Sequence, residues 1–192
     1  MKKLICSFAL TVLFVFYSSH SFAETVLIDT ATGNTSTAGI SNWSSSGSYG
    51  YGSVIGPSND MNVSSFSFYL KKNGFQDTIA QPFKAYIYES SATGILSGSA
   101  IAQSSEQIST TSTTFTEVNA ALTSAVTLSS GSYYTLIYSV GGVSGTDSSD
   151  SYQYNLTDVT DAQNIGAWYS NHRDGISSPT FRSGWKYALR IY

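Results

Sequence analysis

In FKAYIYES (83–90), Phe83, Ala85 and Ile87 alternate with Lys84, Tyr86 and Tyr88. Successive side chains of a strand point to opposite faces, so the first set predicts a core-facing side and the second an outer one. VSSFSFYLKK (63–72) repeats the pattern, with Phe66, Phe68 and Leu70 inward and Ser67, Tyr69 and Lys71 outward. No segment shows a sustained helical period with caps. Strands are predicted instead at 25–28, 48–55, 63–72, 82–90, 99–104, 113–118, 124–128, 132–140, 151–155, 166–170 and 185–192. In the last of these Trp185, Tyr187, Leu189 and Ile191 share the face assigned to the core. The breaks GPSND (56–60), KNG (72–74), SSATG (90–94), SSG (129–131) and GGVSGTDSSD (141–150) carry turn chemistry. This spacing predicts an all-β chain, folded as one antiparallel β-sandwich, jelly-roll-like. An outer-membrane barrel would place Lys186 and Arg190 on its lipid side, which is costly, so the sandwich is favoured.

The start of the chain changes the inventory. Lys2 and Lys3 precede an apolar run from Leu4 to Tyr17, and SSHSFA ends in Ser21-Phe22-Ala23. This is the form of a signal peptide, residues 1–23, leaving 24–192 as the mature domain. Cleavage removes Cys6, so no disulfide is expected, and the chain reads as an exported bacterial product, periplasmic or secreted. It also removes two of nine basic residues, leaving seven against twelve acidic ones, a net charge of −5. Such a chain is a poor partner for nucleic acid, and no integral membrane span is expected after cleavage. Charged residues make up only 11% of the sequence against 14% aromatics, the opposite of a disordered composition.

YGSVIGPSNDMNVSSFSFYL, FKAYIYESSATGILSGSAIAQSS, TTFTEV, AVTLSSGSYYTLIYSV and a late Trp-led strand form a recognisable succession. Together they resemble the exported bacterial β-sandwich domains of exosortase-sorted (PEP-CTERM) and related "choice-of-anchor" surface proteins. The resemblance implies a jelly-roll-like fold similar in outline to carbohydrate-binding modules. The Pro-Glu-Pro motif, apolar helix and basic tail of that sorting signal do not follow Tyr192 here, so release rather than anchoring is the expectation.

Catalytic chemistry is poorly supplied, and no enzyme is expected. His172, in SNHRDG (170–175), is the one mature histidine available as a base, and a surface turn accounts for it equally well. The twelve acidic residues permit a glycosidase-type carboxylate pair without identifying one. Aromatic residues point to binding. Sugar rings stack their C–H faces on exposed rings while their hydroxyls bond polar groups. Trp43, in the polar stretch ISNWSSSG, together with Trp168, Tyr169, Asn171 and Arg173, makes one candidate pocket. Tyr69, Tyr86 and Tyr88, with Lys71 and Lys84, make a second candidate, a strip that requires strands 63–72 and 82–90 to be neighbours. Cross-strand tyrosine pairing that stabilises a sheet explains the same strip. GTDSSDSYQYNLTDVTDAQN (145–164) offers Asp147, Asp150, Asp158 and Asp161, with Asn155 and Asn164, as oxygen donors for a structural Ca²⁺; a solvated acidic loop is the other reading. The functional expectation is a non-catalytic module whose partner is a polysaccharide or glycan. The alternative is a structural, matrix or adhesion protein that meets other surface proteins.

Overall fold

The computed structural model describes residues 25–31, 49–72, 80–144, 152–157 and 161–192. Twelve strands run in chain order: β1 (Ile28–Asp29), β2 (Gly50–Ile55), β3 (Met61–Lys72), β4 (Pro82–Ser90), β5 (Leu96–Gln103), β6 (Gln107–Ile108), β7 (Thr116–Leu128), β8 (Tyr133–Ser139), β9 (Tyr152–Tyr154), β10 (Asn164–Ser170), β11 (Pro179–Arg182) and β12 (Leu189–Ile191). They form two antiparallel sheets, ordered β1-β12-β3-β7 and β11-β10-β2-β8-β4-β5, with β9 added to β3 and β6 to β4. Counting β1, β2, β3, β4, β5, β7, β8 and β12 as one to eight, the sheets read 1-8-3-6 and 2-7-4-5. That is the jelly-roll order, with β10 and β11 widening the second sheet. Among the described residues no helix is long and apolar enough to cross a membrane.

The core lies between the sheets. Phe66, Phe68 and Leu70 of β3 meet Phe83, Ala85 and Ile87 of β4 and Tyr134, Leu136 and Tyr138 of β8, all buried. The two alternations read from the sequence therefore hold residue by residue. At the centre, the Tyr138 ring lies 4.4 Å from Phe83 and 4.9 Å, edge-on, from Phe68. Its hydroxyl crosses to the other sheet, 2.7 Å from the carbonyl oxygens of both Phe66 and Val118. Tyr138→Phe is expected to cost about 1–2 kcal/mol, because the sheet-to-sheet bond goes and buried carbonyls lose a donor. A lower urea midpoint at unchanged slope would register this, and an unchanged midpoint would show the bond to be neutral.

The strand boundaries differ from expectation in three places. Segments 113–118 and 124–128 belong to one strand, β7, because its register with β3 jumps from Val63↔Val126 to Ser65↔Ala121, leaving 122–125 looped out opposite Ser64. β6 and β11 were not foreseen: β6 has two residues, and β11 carries Pro179 and Arg182. Trp185 is not core: it is 43% exposed, whereas Tyr187, Leu189 and Ile191 are fully buried. The chain is still turning there, with the Trp185 N–H bonded to the Arg182 carbonyl (3.2 Å), so the alternating run starts only afterwards.

Candidate functional site

β3 and β4 lie in different sheets. The strip of Tyr69 and Lys71 with Lys84, Tyr86 and Tyr88 is therefore divided between opposite outer faces of the sandwich. Tyr69 belongs to a polar network on the five-stranded sheet. Glu117 of β7 accepts from Ser67 Oγ (2.7 Å), Tyr69 Oη (2.8 Å), Tyr192 Oη (2.5 Å) and Arg190 Nη1 (2.8 Å). Arg190 also reaches Asp29 (3.0 Å) and lies over the Tyr69 ring. Burial raises the Glu117 pKa, but the bonds from Ser67, Tyr192 and Tyr69 and the Arg190 charge together outweigh it and hold the carboxyl low. Burial is also the first cause of the raised Tyr69 pKa, followed by its bond to Glu117. Tyr69 thus has its hydroxyl bonded within the sheet while its side chain stays partly exposed.

On the seven-stranded sheet the outer face carries a second apolar cluster. Val54, Tyr88, Ile137 and Trp168 are its buried members, and Tyr86, Leu96, Ala100, Ile165, Ile176 and Phe181 pack against them. Trp168 is fully buried, so no sugar ring reaches its faces, and its place in the predicted pocket is corrected. The cause is the β4–β5 connection, which folds back over the sheet. Trp168 Nε1 donates to the Gly94 carbonyl (3.1 Å), and a Cβ on Gly94, at φ 72°, would meet the indole at 2.7 Å. Tyr169, next in the strand, points the other way. Its ring pairs with Tyr51 at 6.1 Å, and a hydrogen bond with Arg182 is the leading cause of its lowered pKa. Trp168 and Tyr169 therefore do not share a site. Asn171 and Arg173 are exposed in the turn after β10. In that turn the Asp174 carboxylate accepts the N–H groups of Ile176 and Ser177 and meets His172 Nδ1 at 3.1 Å. Among the described residues the exposed tryptophan is Trp185, with the Arg182 guanidinium 5.8 Å from its ring. Trp43 lies outside the described residues.

Tyr86 and Tyr88 do come together, with ring centroids 6.3 Å apart. They line an open groove of about 650 Å³ with Gly98–Gln103 of β5, Thr123–Val126 of β7 and Ile176. Two bulges build it. The β4–β5 register jumps from Ile87↔Ala102 to Glu89↔Ser97, so 98–101 loop out opposite Tyr88 alone. Gly98 takes φ 66°, a left-handed backbone suited to such a bulge. The 122–125 bulge of β7 comes from the other sheet and touches the same edge, through the Ser104↔Leu122 bridge and Thr123 Oγ1 bonded to the Gln103 carbonyl (3.0 Å). Burial raises the pKa of Tyr86 and, first among its causes, that of Tyr88, so both phenols stay neutral. Tyr86 is partly exposed and Tyr88 only 7% exposed, so the first is the contact surface and the second supports it. Sequence reasoning found both tyrosines but missed the walls. Segments 99–104 and 124–128 read as ordinary strands, and only Gly98 hints at a bulge.

Asp147, Asp150 and Asp158 of the calcium expectation lie outside the described residues. Asp161 caps its own turn, accepting the Gln163 N–H at 2.8 Å, and its carbonyl takes the Lys186 ammonium at 3.1 Å. Among the described residues no three His, Cys, Asp or Glu side chains gather where they would hold a metal ion. Asn164 is buried, donating to the Tyr187 carbonyl (3.1 Å).

In comparisons with known proteins, the chain matches no protein-family model, no curated protein and no solved structure.

Proposed function

We propose that the protein is a non-catalytic, exported module that binds extracellular polysaccharide or glycan in the groove over Tyr86 and Tyr88. One observation carries the reading: a partly exposed tyrosine stands beside a groove whose other walls are small side chains, hydroxyls, one amide and the aliphatic Ile101, Val126 and Ile176. A ring offers a stacking face, and the hydroxyls and amide offer partners to a polyol. The resemblance to PEP-CTERM-type surface domains supports an exported setting, and a structural Ca²⁺ in the 145–164 loop remains part of this proposal. The test is affinity electrophoresis of the mature chain through gels holding a panel of polysaccharides, with calcium and with chelator. Retardation by at least one polymer is expected, and Tyr86→Ala should weaken it about tenfold, a loss of about 1.4 kcal/mol. Retardation unchanged by Tyr86→Ala would remove the groove from the function.

A second reading, a structural or matrix protein, draws on β5. Residues 90–105 carry no charge, Ile101 is 38% exposed, and this strand ends the seven-stranded sheet. An uncharged edge invites pairing with another strand. Under this reading sedimentation without sugar shows concentration-dependent assembly that Ile101→Lys abolishes.

A further inference from the structure

We infer that the groove takes a neutral, linear glycan, held along several consecutive units rather than at one terminal sugar. This deepens the proposed function and rests on it.

The first ground is charge. Among the described residues, none that lines the groove is ionisable apart from the two phenols, whose pKa values burial raises. Two charged side chains stand next to it. Lys84 projects from the same face of β4, two residues before Tyr86, and is partly exposed. Asp174 lies near enough to act on Tyr88. They carry opposite signs, and Asp174 is already held by His172, Ser177 and two backbone N–H groups. A uronate or sulfated chain would find no guanidinium or ammonium in the lining, and a cationic chain no carboxylate. A neutral polyol has its charge requirement met there.

The second ground is shape. The walls are two consecutive runs, Gly98–Gln103 from the seven-stranded sheet and Thr123–Val126 from the five-stranded one. At about 650 Å³ the groove has more room than one sugar ring fills, and it is open rather than closed over one ring. The bulged residues 98–101 and 123–125 have no ladder partners opposite them. The hydroxyls of Ser99 and Ser124 and the Gln103 amide in the lining suit sugar hydroxyls, with Tyr86 as the stacking surface.

The experiment uses the mature chain in gels containing a neutral linear glucan or mannan, a polyuronate, or a polyamine glycan, each at low and high salt. A competition series adds the matching monosaccharide and oligosaccharides of increasing length. The neutral polymer should retard the protein equally at both salt concentrations. Oligomers should compete better with length up to a plateau, while the monosaccharide fails at a hundredfold higher concentration. Ser99→Lys, an exposed change that leaves the core alone, should weaken neutral retardation and introduce salt-sensitive retention on the polyuronate. Tyr86-dependent retention by the polyuronate in the native chain, or full competition by the monosaccharide, overturns this inference while leaving the groove as the site. No retardation by any polymer overturns both.

Discussion

Replacing Trp168 with alanine is expected to destabilise the protein by about 3–5 kcal/mol, the range for deleting a fully buried aromatic side chain. The indole lies between the sheet and the β4–β5 connection, and it is the largest side chain in the second apolar cluster. Its neighbours cannot close the gap cheaply. Gly52 and Ile137 follow it across the sheet, and a Cβ on Gly50 would already stand 3.2 Å from the ring. The loss also frees the Gly94 carbonyl and the loop it anchors. At about 2–4 °C per kcal/mol for a chain of this length, the melting temperature should fall by roughly 10 °C. Calorimetry is the right readout, since its signal does not depend on the indole that is removed. Trp168→Phe, which keeps most of the apolar volume, should cost about 1–2 kcal/mol. A Trp168→Ala melting temperature within 2–3 °C of the native one would show that the outer cluster adds little to stability.

The second large effect belongs to Glu117. Four donors converge on one carboxylate that is 26% exposed, and Arg190 beside it is 25% exposed. Glu117→Ala leaves Ser67, Tyr69 and Tyr192 without this acceptor, and Arg190 loses one of its two carboxylate partners while keeping Asp29. The expected cost is about 2–3 kcal/mol at neutral pH, the scale of bonds to a charged group. The pH dependence has a definite sign. The folded-state pKa of Glu117 is lowered, so below neutrality the unfolded chain binds the proton more readily. Its contribution is complete above the ordinary glutamate pKa of about 4.3 and is lost as pH falls through the lower folded value. The stability gap between native and Glu117→Gln proteins, measured by urea unfolding, should therefore shrink on acidification below about pH 4. A gap that stays constant through that window would mean that the network acts through packing alone.

Both effects sit on the outer faces of the sheets, where the sequence was hardest to read. Alternation within one strand is a local property with a period of two. It assigned Phe66, Phe68 and Leu70, and Phe83, Ala85 and Ile87, to the core, and the structure agrees. Turn residues placed the ends of β3, β4 and β8 within a few positions. The many short strands predicted a sandwich, because chains of this pattern bury one face of each sheet against the other. By itself, then, the sequence determined that the protein is a β-sandwich and which side of each long strand faces inward. It also marked Tyr86 and Tyr88 as outward.

Partner choice was left to tertiary structure. A strand with one apolar and one polar face satisfies its pattern equally well beside many others, and only long-range packing selects among them. That selection put β3 and β4 in different sheets and divided the tyrosine strip between two faces. It set the long bulges of β5 and β7 at one edge and so built the groove beside Tyr86. It also exchanged the expected fates of two tryptophans. Trp168 had a turn after it and looked exposed, yet a hairpin from elsewhere in the chain covers it. Trp185 was in phase with a buried strand, yet it precedes the point where that strand joins its sheet. Burial on an outer face depends on which loop folds over it, and no local periodicity encodes that.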